Sequence, residues 1–375
     1  MKIGVDIRPF IATSYGGVAE YGKNLLPALF MNAKEHDFIL FANSFNDTVL
    51  PEWLLPYQNR VRMFHYPNKL LSLATRVGSF PKLDKLIRGV DVWFSPHMLP
   101  APTSPSVPRV TTFHDISFER FPYFFDARRR AWHAGMNPRA QARASKRIIT
   151  PSEATRQDII ALYGIAPASV KVVYPGVPSR PLATAKDRIE PFPYILSLCT
   201  LEPRKNLVSV IAAFERVAHL PVLEGYHLIM AGPVGWSWRG IERAALTSMY
   251  RDRIHILGPV SPARVSALYE GASLFVYPSF YEGFGFPPLE AMAHGVPVIA
   301  SMTSSLPEVV GDAGVLVDPH RVETLASLLV EIMGDATLRE ELSRKGRERA
   351  TQFSWEKAAR QTQEVLEEAF FHRER

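Results

Sequence analysis

The sequence predicts an α/β protein of two domains, each built on a parallel sheet. Three observations carry this. Short apolar runs recur along the 375 residues, separated by helical or irregular stretches. Several runs are continuously apolar rather than alternating, as in strands covered on both faces. The series breaks at a polar, charged, proline-bounded segment over residues 179–193, which reads as a linker. A chain of this length has room for two cores, and its 47% hydrophobic content is that of an ordinary globular enzyme.

In the first half, residues 2–7, 38–42, 61–66, 90–95, 109–113, 147–150 and 170–174 read as strands. The stretches between them suit right-handed crossovers, and ligands of such sheets bind beyond the carboxyl ends of the strands. The first strand leads to Tyr15, Gly16 and Gly17, then to a helix over about 18–30. A glycine turn at a helix start suits a diphosphate, or is a tight turn and nothing more. It is not a dinucleotide fingerprint. The strand over 109–113 ends in His114 and Asp115. His114 could orient an acceptor hydroxyl or take its proton, with Asp115 fixing the ring; the alternative is a hydrogen-bonded core histidine. His97 closes the fourth strand with a weaker signal. The loop over 98–108 carries four prolines and reads as rigid. Residues 126–146 form a basic helical region interrupted by Pro138, either a solvated face or a contact for phosphate or lipid. Ser152 reads as a helix N-cap.

The second half opens with a strand over 194–198 and reaches Cys199 and LEPRKN at 201–206, with a helix starting near Asn206. Arg204 and Lys205 then lie between a strand's carboxyl edge and a helix's amino edge, where cations would hold a diphosphate; an exposed basic loop is the other reading. Strands over 226–231 and 253–257 follow, and Val260 sits where backbone groups would meet a nucleobase. The richest stretch is YPSFYEGFGFPPLEAMAHGVPVIAS, residues 277–301. A strand over 272–277 enters the loop of Glu282, Gly283, Phe284, Gly285 and Phe286. Pro287 and Pro288 open a helix over 289–294 that carries Glu290, Gly295 stops it, and a strand over 296–300 follows. Glycines permit close approach to a ligand, helix N-terminal amides attract anions, and the carboxylates suit sugar hydroxyls. Together they read as a nucleotide-sugar pocket. A last strand over 314–317 precedes helices over 322–333, 336–353 and 356–371.

The net charge of +6 is uneven: residues 1–178 carry 22 Lys and Arg against 13 Asp and Glu, the rest 21 against 24. A first half at +9 suits an anionic partner, a phosphorylated substrate or an acidic lipid surface, or serves solubility alone. Basic residues without a readable nucleic-acid motif argue against nucleic acid. One cysteine, Cys199, excludes a disulfide framework, and no HExxH or Cys/His zinc spacing occurs, so no metal is expected. No secretory core and no run of 18 apolar residues is present, so a cytoplasmic location is expected, with peripheral attachment to the inner face of the membrane left open.

On these residues the whole chain resembles the retaining glycosyltransferases of the large group 1 family (family 4). The marks are the E-x7-E element from Glu282 to Glu290 and SSLPEVVGDAGVLVDP after it. LEPRKN at 201–206 and TTFHDISFERFP at 111–122 resemble the bacterial mannosyltransferase branch of surface-polysaccharide synthesis. The resemblance implies a GT-B fold, two Rossmann-like domains whose parallel sheets face across a cleft. Residues 1–178 would bind acceptor, 179–353 would bind the nucleotide sugar, and 354–375 would return as a helix towards the first domain. It implies that Glu282 contacts the donor sugar, Glu290 the ribose, Lys205 and Arg204 the diphosphate, Gly17 with Gly16 the diphosphate from the first domain, and His114 the transferred sugar. The family commonly has glycine where this chain has Cys199. The donor implied is GDP-mannose, with no cofactor or metal, and the acceptor a glycan or polyprenyl-diphosphate-linked oligosaccharide. The alternatives are a sugar-nucleotide epimerase of similar fold and a non-catalytic nucleotide-sugar or glycan binder.

Overall fold

A computed structural model describes residues 1–11, 16–46, 48–78, 80–178 and 190–371. The chain divides into two compact units, Met1–Gly176 with Ser354–Arg375, and Val177–Phe353.

The first unit holds seven strands: β1 (Lys2–Asp6), β2 (Asp37–Asn43), β3 (Val61–Phe64), β4 (Val92–Ser95), β5 (Arg109–Thr112), β6 (Arg147–Thr150) and β7 (Val170–Val172). They pair in parallel in the order β3-β2-β1-β4-β5-β6-β7. Ile3, Val5, Leu40, Val92, Phe94 and Ile148 are fully buried, which explains the unbroken apolar runs. The winding reverses between β1 and β4, so a crevice is expected beyond their carboxyl ends. The helix Gly17–Asn32 buries Tyr21, Leu25, Leu26, Leu29 and Phe30, a helical stripe on the sheet. Tyr15 of the glycine turn lies outside the described residues. The C-terminal helix Trp355–Phe371 packs on Gly17–Asn32 within this unit. Tyr21 meets Trp355 edge-on at 5.9 Å. Position 176 must be glycine, because a Cβ there would run into the Trp355 backbone nitrogen.

The basic stretch is two helices, Ala127–Met136 and Pro138–Arg143. Between them Asn137 turns left-handed at φ 46°, and its side chain accepts from Ala140 N. Pro138 starts the second helix, where its missing N–H costs nothing. Ser152 caps the helix Glu153–Tyr163, accepting from Thr155 N.

The second unit holds β8 (Tyr194–Leu198), β9 (His227–Ala231), β10 (Ile254–Gly258), β11 (Ala272–Tyr277), β12 (Val298–Ser301) and β13 (Val315–Val317). The order is β10-β9-β8-β11-β12-β13, all parallel, and the winding reverses between β8 and β11. β12 starts two residues later than its apolar run suggests. Gly295 takes φ 73° and Val296 N still donates to Ala291 O, so Val296 belongs to the end of the preceding helix. The helix Ala336–Ala350 likewise stops short of residue 353, where Phe353 N folds back onto Ala350 O. Of the expected linker, residues 179–189 lie outside the described residues.

Candidate active site

The reversal point of the second unit brings two loops together. After β8 the chain makes one tight turn, Pro203–Lys205, and Asn206 takes φ 57° before the helix Leu207–Val217. The Asn206 amide secures this conformation by donating to Pro278 O at 3.1 Å and Pro319 O at 2.7 Å. Phe280 N, after β11, donates to Arg204 O at 2.9 Å.

A four-membered charge cluster forms where the loops meet. Lys205 Nζ donates to Glu282 Oε1 at 2.6 Å and to Tyr277 OH at 2.8 Å. Arg204 Nη1 donates to Glu282 Oε2 at 3.1 Å and to Tyr281 O at 2.5 Å. Arg204 Nε and Nη2 donate to Glu202 Oε1 at 3.0 and 2.7 Å. All are buried or nearly so; Lys205 is 8% exposed, Glu282 7% and Glu202 2%. Burial pushes the Glu282 carboxyl up, but the charges of Lys205 and Arg204 outweigh it and hold the group at about 2. Glu282 is therefore a carboxylate at neutral pH, an acceptor of hydrogen bonds. Burial raises Glu202 above the usual carboxylate range, only partly offset by Arg204. An ammonium has three N–H donors, and the two bonds of Lys205 leave it one among the described residues.

The loop after Glu282 is pinned from below. Ser305 Oγ donates to Glu282 O at 3.0 Å and Phe284 O at 2.7 Å, and Glu282 N donates to Ser304 Oγ at 2.9 Å. Gly285 takes φ 112° and begins the helix Phe286–Ala293, which carries the buried Glu290. The helix starts earlier than position 289, and Pro287 and Pro288 occupy its first turn. Prolines carry no N–H, so the first turn of the helix lacks two of the backbone donors that the sequence pattern suggests. A Cβ at Gly285 would come within 2.6 Å of Leu306 Cδ2. Gly285→Ala is expected to destabilise the second unit by about 1–3 kcal/mol, combining left-handed strain with that contact. A thermal melt measures it, and an unchanged midpoint would contradict the pinned-loop geometry. Cys199 is buried, and burial pushes its thiol up to about 12, so it stays a neutral, inert group. Val260 is half-buried, just past β10.

In the first unit the carboxyl ends of β1, β4 and β5 carry a second polar group. Asp6 is fully buried and bidentate with Arg8: Nε to Oδ1 at 2.9 Å and Nη2 to Oδ2 at 2.6 Å. Burial acts to raise the Asp6 carboxyl, but Arg8 and His97 hold it well below the usual range. Leu99 N donates to His97 Nδ1 at 3.1 Å, so His97 Nε2 carries the proton it shares with Asp6 O at 3.1 Å. His114 Nε2 donates to Pro96 O at 3.0 Å, which leaves Nδ1 of the neutral ring as an acceptor. Tyr21 packs edge-on to the ring at 4.7 Å. Burial lowers His114 to about 4. Asp115 does not orient the ring as expected. Its Oδ1 instead takes Ser117 N at 3.0 Å and Ser117 Oγ at 2.8 Å, an Asx turn that starts the next helix. Gly16 and Gly17 are exposed at the start of the helix Gly17–Asn32, with Gly16 at φ 128°.

The structure thus brings Arg204, Lys205 and Glu282 into direct contact, and adds Glu202 and Tyr277, which the sequence reading did not single out. Glu202 had a signal, standing two places before Arg204 in LEPRKN; Tyr277 ends an apolar strand and had none. Asp6 and Arg8 were missed for the same reason as Tyr277. Among the described residues one His/carboxylate group is close enough to share a cation, Glu35, His36 and Glu367. There Gln363 Nε2 donates to both carboxylates, at 2.6 and 2.9 Å. That group lies at the amino end of β2, away from the strand ends just described. No helix among the described residues is long and apolar enough to cross a membrane.

Comparison with known proteins gives concordant matches. A family model described as glycosyl transferases group 1 matches residues 181–349, and one described as Glycosyltransferase Family 4 matches residues 15–180. The O-antigen chain mannosyltransferase B of Escherichia coli is 35% identical over 280 residues, covering 68% of this chain and 68% of that protein. Sucrose-phosphate synthase (tll1590) from Thermosynechococcus elongatus superposes with a TM-score of 0.78 over 99% of both chains at 20% identity. Anabaena Alr3699/HepE, solved in complex with UDP and glucose, gives 0.71 over 98% of this chain and 99% of that one at 18% identity. These two structures show the same two-domain GT-B fold.

Proposed function

Because the chain belongs to the group 1 and family 4 glycosyltransferases, and is an enzyme of that class, we propose that it moves a mannosyl unit from GDP-mannose to a hydroxyl of a glycan or lipid-linked oligosaccharide. The observation that carries the site assignment is the buried cluster of Lys205, Arg204, Glu282 and Glu202 at the reversal point of the second sheet. Mannose rests on the names of relatives, the Escherichia coli mannosyltransferase among them. Alr3699/HepE holds UDP and glucose, so the fold itself does not select the base or sugar.

In this reading the remaining N–H of Lys205, Arg204 and the backbone of residues 283–286 receive the diphosphate. Glu290 takes the ribose hydroxyls, Val260 the base edge, and Glu282 a hydroxyl of the sugar. The bond from the anomeric carbon to the phosphate oxygen breaks, and the cations stabilise charge on the leaving diphosphate. The acceptor oxygen bonds to the anomeric carbon from the same face, and its proton passes to the leaving phosphate oxygen. Glu282, already committed to two cations, orients the sugar and is not a nucleophile. That differs from the paired carboxylates of glycoside hydrolases, which stand across the scissile bond. His114, with Nδ1 free to accept, would meet the sugar from the first unit, and Gly16 and Gly17 the diphosphate.

Calorimetry with GDP, UDP, ADP and dTDP and their sugars tests the donor. GDP and GDP-mannose are expected to bind at least about tenfold more tightly than the others, a difference of about 1.4 kcal/mol. A preference for UDP would overturn the mannosyl reading while leaving transfer intact. Conversion of the sugar nucleotide without any acceptor would favour an epimerase.

A further inference from the structure

Residues 68–77 and Phe80 of the first unit turn apolar groups outward. The helix Asn68–Leu73 runs on through one wider turn, Ala74–Gly78. Its inner side is anchored: Leu71 is 5% exposed and packs in a cluster with Phe41, Leu83, Ile87 and Trp93. Thr75 Oγ1 donates to Leu71 O at 2.9 Å. The outward positions are Leu70, Leu73, Val77 and Phe80, exposed by 63%, 59%, 81% and 68%. Leu70, Leu73 and Val77 stand three and four residues apart, the spacing of one helical face, and Phe80 is exposed just beyond the helix. A lone exposed leucine means little, but three large apolar groups at that spacing on an anchored element, with Phe80 beyond them, form an apolar surface turned to solvent.

The charge around the stripe identifies the partner. No Asp or Glu occurs between Glu52 and Asp84, nor between Asp126 and Glu153. Lys69, Arg76 and Lys82 fall in the first of these acid-free segments. The second supplies the helix Ala127–Met136, which lies alongside: Arg76 Nη2 reaches Met136 Sδ at 3.0 Å, and a Cβ at Gly135 would meet Arg76 Nη1 at 3.2 Å. That helix presents Arg128, Arg129 and Arg130 to solvent, with Trp132 46% exposed beside them. An apolar stripe flanked by cations, with one acid, Asp126, paired to Arg129 at 2.6 Å at the start of the flanking helix, matches the boundary of an anionic bilayer: apolar side chains enter the acyl edge and the remaining cations meet head groups. A nucleic acid would satisfy the cations but leave Leu70, Leu73 and Val77 in water. A second copy of the chain would set like charges against each other.

We propose that this face docks the enzyme on an anionic membrane surface, with Leu70, Leu73, Val77 and Phe80 as the inserted groups and the helix Ala127–Met136 as its electrostatic flank. The proposal is independent of which donor is used. Sedimentation of the full chain with vesicles of phosphatidylcholine alone, and with added phosphatidylglycerol, tests it. At least tenfold more binding to the anionic vesicles is expected, weakening as salt rises. The triple variant Leu70→Ser, Leu73→Ser, Val77→Ser should lose tenfold or more of that binding while keeping the wild-type melting midpoint and donor affinity. If the triple variant does not fold, the single variant Val77→Asp, at the most exposed position, should still lose most of the binding. Equal binding to both vesicle types, undiminished binding by the folded variant, or self-association of the wild-type chain through this stripe without vesicles would overturn the proposal.

Discussion

Replacing Lys205 by alanine is expected to lower turnover by about 10²–10³-fold, the usual cost of removing one group that stabilises charge on a leaving oxygen. Donor affinity should fall with it, because the ammonium keeps one N–H beyond its bonds to Glu282 and Tyr277 among the described residues. The variant also leaves Glu282 buried with only Arg204 opposite it. Removing one partner of a buried pair costs about 3–5 kcal/mol, so a lower melting midpoint should accompany the lost activity. The two effects separate by pH. Glu282 sits at about 2 in the folded protein because of its cations, so the pair stabilises the fold above the ordinary carboxylate range and loses that contribution as pH falls towards 2. Lys205→Ala should remove much of that acid dependence, and wild-type turnover and donor affinity in this variant would remove Lys205 from the site.

Replacing His114 by alanine should act on the other half of the reaction. The ring orients the sugar by one hydrogen bond rather than taking a proton, so transfer should fall by about tenfold or more while nucleotide affinity stays within about twofold. The pH profile distinguishes a working ring from a packed one. Burial lowers His114 to about 4, so the ring is neutral and its Nδ1 available across the neutral range. The acidic limb of wild-type turnover attributable to this ring should therefore lie near 4 rather than 6.5. The same depression has a stability sign: between 6.5 and 4 the unfolded chain takes up a proton that the folded chain refuses. Stability from this ring is complete above 6.5 and declines as pH falls through that window. An alanine variant with undiminished transfer would make His114 a packing residue against Tyr21.

The fold was legible because parallel strands buried on both faces leave unbroken apolar runs. β6, β8 and β11 match their runs end to end, and most others differ by a residue or two. The misses have local causes. The single-turn helix Leu83–Leu86 is too short to show a period, and the outward leucines of Asn68–Leu73 blur the stripe that marks a buried face. At the site, residue types were legible and pairings were not. Lys205 and Glu282 stand 77 positions apart, and nothing in either segment says that their side chains meet. The sequence places two cations where a diphosphate would lie, but not the two carboxylates that hold them in its absence. His114 beside Asp115 reads as an orienting pair in the sequence. Neighbouring residues at a strand end point apart, so a carbonyl 18 positions away orients the ring instead.

The account depends on the loop of residues 282–286 and the cations of residues 204–205 holding a sugar nucleotide. A structure of the protein with a bound nucleoside diphosphate sugar tests this most directly. The diphosphate is expected within hydrogen-bonding distance of Lys205 Nζ, with the ribose at Glu290 and the sugar at Glu282. A nucleotide bound elsewhere, with the Lys205–Glu282 and Arg204–Glu202 pairs undisturbed, would contradict it.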